Sequence, residues 1–140
     1  MSGTRRLFLW VSSVAASLVA VGVVLQLYLI AVWVFGEEGG LDAHRAVGSL
    51  VWLLEIIVLV AGLVAYWGTW RQVALSAALP VLGTIQIFFL GDVENPSENV
   101  SGWIHGFHGG LAIFVFALAV AIGYRDMKTM GVHRRGEATA

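Results

Sequence analysis

Gln26 and His44 in the first half of this chain, and Gln86 and His105 in the second, have the side-chain types and the spacing to build one site from two copies. Gln26 precedes His44 by 18 residues and Gln86 precedes His105 by 19, with Leu25-Gln26-Leu27 matched by Ile85-Gln86-Ile87. Each copy is a glutamine in an apolar run, an acidic loop, then a histidine with glycine four residues on: His44-Arg45-Ala46-Val47-Gly48 and His105-Gly106-Phe107-His108-Gly109. Such an internal repeat predicts two-helix halves related by a pseudo-twofold, each presenting an imidazole at the same level. Two facing imidazoles suit the axial positions of an iron porphyrin. Gly48 and Gly109, one turn further on the same faces, would let a flat macrocycle approach the backbone. Taken singly, each histidine reads as readily as an interfacial polar residue and each glycine as a packing contact. The repetition is what favours a shared site.

The expected ligands are His44 and His105, the pair the repeat selects. His108, three residues on, shares the face of His105 and could ligate in its place, bond a propionate or accept a proton. Arg45 is expected to meet a propionate or a lipid headgroup. Gln26 and Gln86, costly if unpaired in apolar surroundings, are expected to bond a histidine or each other. Glu55 stands apart. Eleven residues after His44, it returns to nearly the same helix face roughly 16 Å deeper. A carboxyl there is expected to be neutral unless partnered. It is either a proton carrier or quinol contact, or a structural group bonded across to Ser76 or Thr84 near the kink that Pro80 imposes.

The elements that must position these residues follow from composition. Hydrophobic residues make up 59% of the 140, charged residues 12%, and mean hydropathy is +0.84, which describes a membrane protein. Four apolar stretches, approximately 7–35, 44–67, 71–91 and 103–124, each approach or exceed the ~20 residues a spanning helix needs. Too little lies outside them for a second domain. The expected fold is therefore all-α: a single-domain, integral membrane, up-down four-helix bundle. The first stretch begins like a secretory signal, with Arg5 and Arg6 before an apolar run. The run is too long for one and lacks a small-residue cleavage site, so it is read as a membrane helix.

Charge gives an expected orientation. Arg5, Arg6, Arg71, Arg125, Lys128, Arg134 and Arg135 fall at one end of the helices, while Glu37, Glu38, Asp42, Asp92, Glu94 and Glu98 fall at the other with Arg45. Both termini are then cytoplasmic and the histidines lie near the outer face. Trp10, Trp33, Tyr66, Trp67, Trp70, Trp103 and Tyr124 read as interfacial aromatic belts. The chain has no cysteine, which excludes thiol redox chemistry, thiolate haem ligation, iron–sulfur clusters and covalent c-type haem. Nothing resembles a nucleic-acid surface.

The run Leu41-Asp42-Ala43-His44-Arg45-Ala46-Val47-Gly48 resembles the segment that opens the second helix in each half of the haem A synthase family. The chain is about the length of one half, and it also resembles small uncharacterised four-helix prokaryotic membrane proteins with an Asp-Ala-His-Arg segment. The resemblance implies one haem between His44 and a histidine early in the fourth helix, His105 or His108, in a prokaryotic plasma membrane. Where the synthase's catalytic half has a glutamate three residues before its first histidine, this chain has Leu41. Three function classes follow: a b-type cytochrome that transfers electrons to or from a quinone or redox protein, an oxidoreductase component; a haem-handling or haem-modifying protein; and a cofactor-free structural or transport subunit. Abundant glycine and alanine leave homo-oligomerisation open.

Overall fold

A chain this apolar must satisfy its backbone within each spanning segment, and helices do so. The computed structural model describes residues 1–89 and 102–131. It consists of α1 (Gly3–Val34), α2 (Gly39–Ala65), α3 (Trp70–Phe89) and α4 (Gly102–Thr129). All four are long and apolar enough to cross a membrane, and together they form a multi-pass four-helix membrane bundle. Ser2 caps α1 by accepting the Arg5 N–H at 3.3 Å. Gly36 and Gly68, with φ of +105° and +83°, reverse the chain after α1 and α2 in a conformation that side chains resist.

Each helix packs on two others: α1 on α2 and α4, α3 on α2 and α4. The diagonal pairs are α1 with α3 and α2 with α4. The α1–α2 seam is the most extensive and the α3–α4 seam the slightest, so the two halves of the repeat are unequally knit. The inner face of α1 carries Leu9, Ser12, Ser13, Ala16, Val19, Ala20 and Val23, mostly small residues that let neighbouring helices come close. Of these, Ala16, Val19, Ala20 and Val23 pack with Val51 and Val58 of α2, Leu79 of α3, and Val115, Ala119 and Ile122 of α4, while Leu9 packs with Ala65, Tyr66 and Val73. Larger apolar side chains such as Val21, Leu50 and Phe114 point outward, towards lipid.

Besides α1, which begins at Gly3 and not near residue 7, two helix limits differ from the sequence expectation by five residues. First, α2 begins at Gly39, so His44 lies beyond its first turn instead of opening it. Gly40 makes this early start fit, since a side chain there would strike Trp33 N and Leu29 O in the last turns of α1. Second, α4 continues five residues beyond Tyr124, taking in Arg125 and Asp126, which pair with one another inside the bundle. Asp92, Glu94 and Glu98 of the second acidic loop, and His133, Arg134 and Arg135 of the tail, lie outside the described residues.

Candidate functional site

At the end where α1 gives way to α2, His44 is half-buried and its Nδ1 lies 3.0 Å from the backbone carbonyl of Gln26. A carbonyl can only accept, so Nδ1 carries the proton and Nε2 keeps a free lone pair. Metal-binding histidines are oriented in this way, with one nitrogen bonded to a carbonyl and the other presented to the metal. Across the α2–α4 diagonal stands His108, its ring centroid 6.2 Å from that of His44 and the planes inclined at 54°. An ion held between two imidazoles has each nitrogen about 2 Å away and each ring centre ~1.1 Å further, placing the centroids about 6 Å apart. The observed separation fits an axial pair.

His105 does not face His44 in this way; it is exposed, while His108 is half-buried with its Nδ1 buried and unpartnered. Three residues on a helix amount to ~4.5 Å of rise and a 60° change of direction, enough to separate the two. Both halves of the repeat do bring glutamine to histidine, but by opposite exchanges. In the first half the His44 ring meets the Gln26 carbonyl; in the second the Gln86 side-chain amide donates to the His108 carbonyl at 2.9 Å.

The two glycines also differ. A Cβ at Gly109 would meet no atom within 4 Å, so the backbone of α4 is open there. At Gly48 the Gln26 Nε2 lies 2.7 Å from where a Cβ would stand, so the amide fills that face. The room for a flat group is therefore on the α4 side, and on the α2 side it is the flexible end of Gln26 that stands in the space. Arg45 is exposed and pairs with Asp42 at 3.8 Å. Among the described residues no three or more His, Cys, Asp or Glu side chains gather to hold a metal ion. A bare ion needs at least three protein ligands, whereas porphyrin iron takes four from its macrocycle and needs only the two axial ones.

Glu55 is 1% exposed and presses against Gly83 of α3, where any side chain would overlap the carboxyl. Neither expected hydroxyl partner reaches it. Ser76 Oγ donates to the Gln72 carbonyl at 3.3 Å and accepts from Arg125 Nη2 at 3.2 Å. Thr84 Oγ1 donates to the Pro80 carbonyl at 2.6 Å and accepts from Trp52 Nε1 at 3.1 Å. Glu55 Oε2 has no hydrogen-bond partner.

A further polar cluster lies at the opposite, arginine-bearing end. Tyr66, read from sequence as a belt residue, is only 5% exposed, and its hydroxyl donates to Asp126 Oδ1 at 2.8 Å. Arg125 Nε donates to the same oxygen at 2.8 Å, Nη1 to the Gln72 carbonyl at 3.0 Å, and the guanidinium stacks 4.3 Å from the Tyr66 ring centre. Asp126 is fully buried, and its Oδ2 is unpartnered. Burial pushes the Tyr66 phenol up, beyond the usual tyrosine range. One signal in the sequence pointed here: Ala119, Ile122 and Asp126 continue one helical face, so Asp126 extends the core stripe of α4.

Comparison with protein-family models, curated proteins and solved structures gives no match for this chain.

Proposed function

We propose that this protein is a membrane b-type cytochrome that holds one haem b between His44 and His108 and transfers electrons to or from a quinone or a redox-protein partner. The observation that carries the reading is the pairing of a His44 ring, oriented by the Gln26 carbonyl, with an imidazole 6.2 Å away across the bundle. When bound, the haem supplies one-electron cycling between ferric and ferrous iron, and two imidazole ligands favour that role over oxygen chemistry. The chain's own part is positional: Gln26 fixes the tautomer and direction of His44, and Gln86 ties α3 to the backbone of α4 at His108. The resemblance of Leu41–Gly48 to a haem A synthase half supports the same site. The arginine distribution supports both termini in the cytoplasm, with the haem near the outer face, and the resemblance supports a prokaryotic plasma membrane.

Haem handling is the second reading, favoured by the exposed His105 beside His108, an imidazole that could exchange places as ligand during transfer. The test is a dithionite-reduced minus air-oxidised spectrum of detergent-purified protein expressed with ample haem. Soret and α bands lost in His44→Ala and in His108→Ala, but kept in His105→Ala, are the expected result. A featureless wild-type spectrum would overturn both haem readings and leave a cofactor-free subunit. If the bands are present, reduction by a quinol distinguishes electron transfer from haem handling.

A further inference from the structure

Along α2, Glu55 follows His44 by eleven residues, and Tyr66, the residue that ends the helix, follows Glu55 by eleven more; each step is ~16 Å along the axis and about 20° around it. The middle station differs from its surroundings in one respect. Every other polar side chain described above on the α2–α3 seam is bonded: Trp52 to Thr84, Thr84 to the Pro80 carbonyl, Ser76 to the Gln72 carbonyl and to Arg125. Glu55 Oε2 has nothing, and neither ion pair among the described residues includes Glu55. A carboxyl with a purely structural role would be hydrogen-bonded, because an unmade bond in a buried place is costly.

The neighbouring helix is open to it at this level. Gly83 leaves the space that the carboxyl occupies. Pro80 lies inside α3 and has no N–H to offer the Ser76 carbonyl one turn back, so an acceptor is released on the side of Glu55 that faces the arginine end. Ser76 Oγ touches Gly62 of α2 and Arg125 of α4, and Arg125 and Tyr66 converge on Asp126. From the level of Glu55 to Ser76 is ~10 Å along α3, with the unpartnered Glu55 Oε2 at one end and the released Ser76 carbonyl near the other; a proton crosses that distance only when water enters between them. Towards the histidines, by contrast, the Thr84 hydroxyl is committed to the Pro80 carbonyl and capped by Trp52.

We propose that Glu55 is a proton-binding site inside the bundle, loaded and unloaded through the Ser76, Tyr66 and Asp126 cluster at the arginine end. The reaction is the reversible protonation of one carboxylate by a proton from water, with no change of oxidation state. The titratable and charged groups along the route are Tyr66 just past α2, Arg125 and Asp126 on α4 and Arg5 on α1, the last 6.0 Å from the Tyr66 ring; His44 and His108 lie at the opposite end, and the residues of α3 facing Glu55 carry none. The site does not depend on haem, so it is testable in haem-free protein.

The experiment is infrared spectroscopy of the purified protein on transfer to D2O. The carboxylic C=O band absent from Glu55→Gln identifies the group, and the amide II decay serves as an internal clock. The expected result is that the Glu55 band shifts well before the core amides of the helices exchange. Tyr66→Phe, which keeps the ring beneath Arg125, should slow that shift at least tenfold, and Trp52→Phe, on the histidine side, should leave it unchanged. Exchange only in step with the core amides would overturn the site. A rate altered by Trp52→Phe and not by Tyr66→Phe would overturn the route.

Discussion

Replacing Asp126 tests the buried charge cluster most directly. Asp126 is fully buried and Arg125 only 14% exposed, and they share a 2.8 Å contact to which Tyr66 adds a second 2.8 Å bond on the same oxygen. Asp126→Asn preserves the shape and removes the charge, leaving Arg125 with the neutral acceptors Gln72 and Ser76. Losing one member of a buried ion pair costs about 3–5 kcal/mol. Tyr66→Phe removes only the hydroxyl, a bond to a charged acceptor contributing about 1.5–3 kcal/mol, and keeps the ring under the guanidinium. Once Asp126 is neutral, the same hydroxyl should contribute about 1 kcal/mol, so the two substitutions should couple by roughly 1 kcal/mol in a double-mutant cycle. Unfolding in mixed micelles of rising dodecyl sulfate fraction, followed by circular dichroism and tryptophan fluorescence, measures all four corners. An Asp126→Asn cost below about 1 kcal/mol, with singles that simply add, would mean that water reaches these charges and the cluster is not buried.

Other substitutions address the remaining seams. Gly83→Leu should destabilise by about 1–3 kcal/mol through overpacking, and Glu55→Ala in the same chain should relieve part of that loss; no relief would show that the carboxyl does not occupy the Gly83 recess. Trp52→Phe deletes the bond to Thr84 while keeping an aromatic ring against Phe88 and should cost about 1 kcal/mol in the same unfolding assay; a cost above about 3 would place Trp52 in a larger network than the one described. Glu55→Gln should leave the haem spectrum intact yet slow reduction by a quinol, and an unchanged rate would separate Glu55 from electron transfer. Gln26→Leu keeps the backbone carbonyl that orients His44 and should leave haem retention, measured by haem titration, close to wild type; a loss of about 10–100-fold, as for a deleted outer-shell partner, would show that the side-chain amide and not the carbonyl supports the site.

The polar residues were legible in the sequence to different degrees. Four spanning helices followed from hydropathy and length, because in lipid an apolar segment of twenty or more residues has few other conformations open to it. The inward direction of Glu55 followed from its eleven-residue distance from His44 and is found in the structure. The contact of His44 with Gln26 also lay within the sequence reading, although it is the backbone carbonyl and not the side-chain amide that bonds. The histidine facing His44 was not legible. Aligning the repeat on its glycines pointed to His105, whereas packing places His108 there, and the rotation of α4 about its own axis decides between them.

Tyr66 and Asp126 were missed for a related reason. A tyrosine at a helix end looks the same in sequence whether it faces headgroups or the bundle interior, and an acid after an arginine looks like a solvated tail. Only the continuation of α4 to Thr129, beside the end of α2 and the start of α3, turns them into a buried pair.

The sequence by itself determined the solvent, the number of helices and the types of chemistry within reach, since these depend on composition and on spacing along one helix. Tertiary structure decided which faces turn inward, which histidine meets His44 and which carboxyls are enclosed. In a water-soluble bundle the apolar stripe marks the inner face. Here both faces are apolar because lipid is as oily as the core, so close packing of small residues and the few polar contacts set each helix's rotation, and those contacts form only when the helices meet.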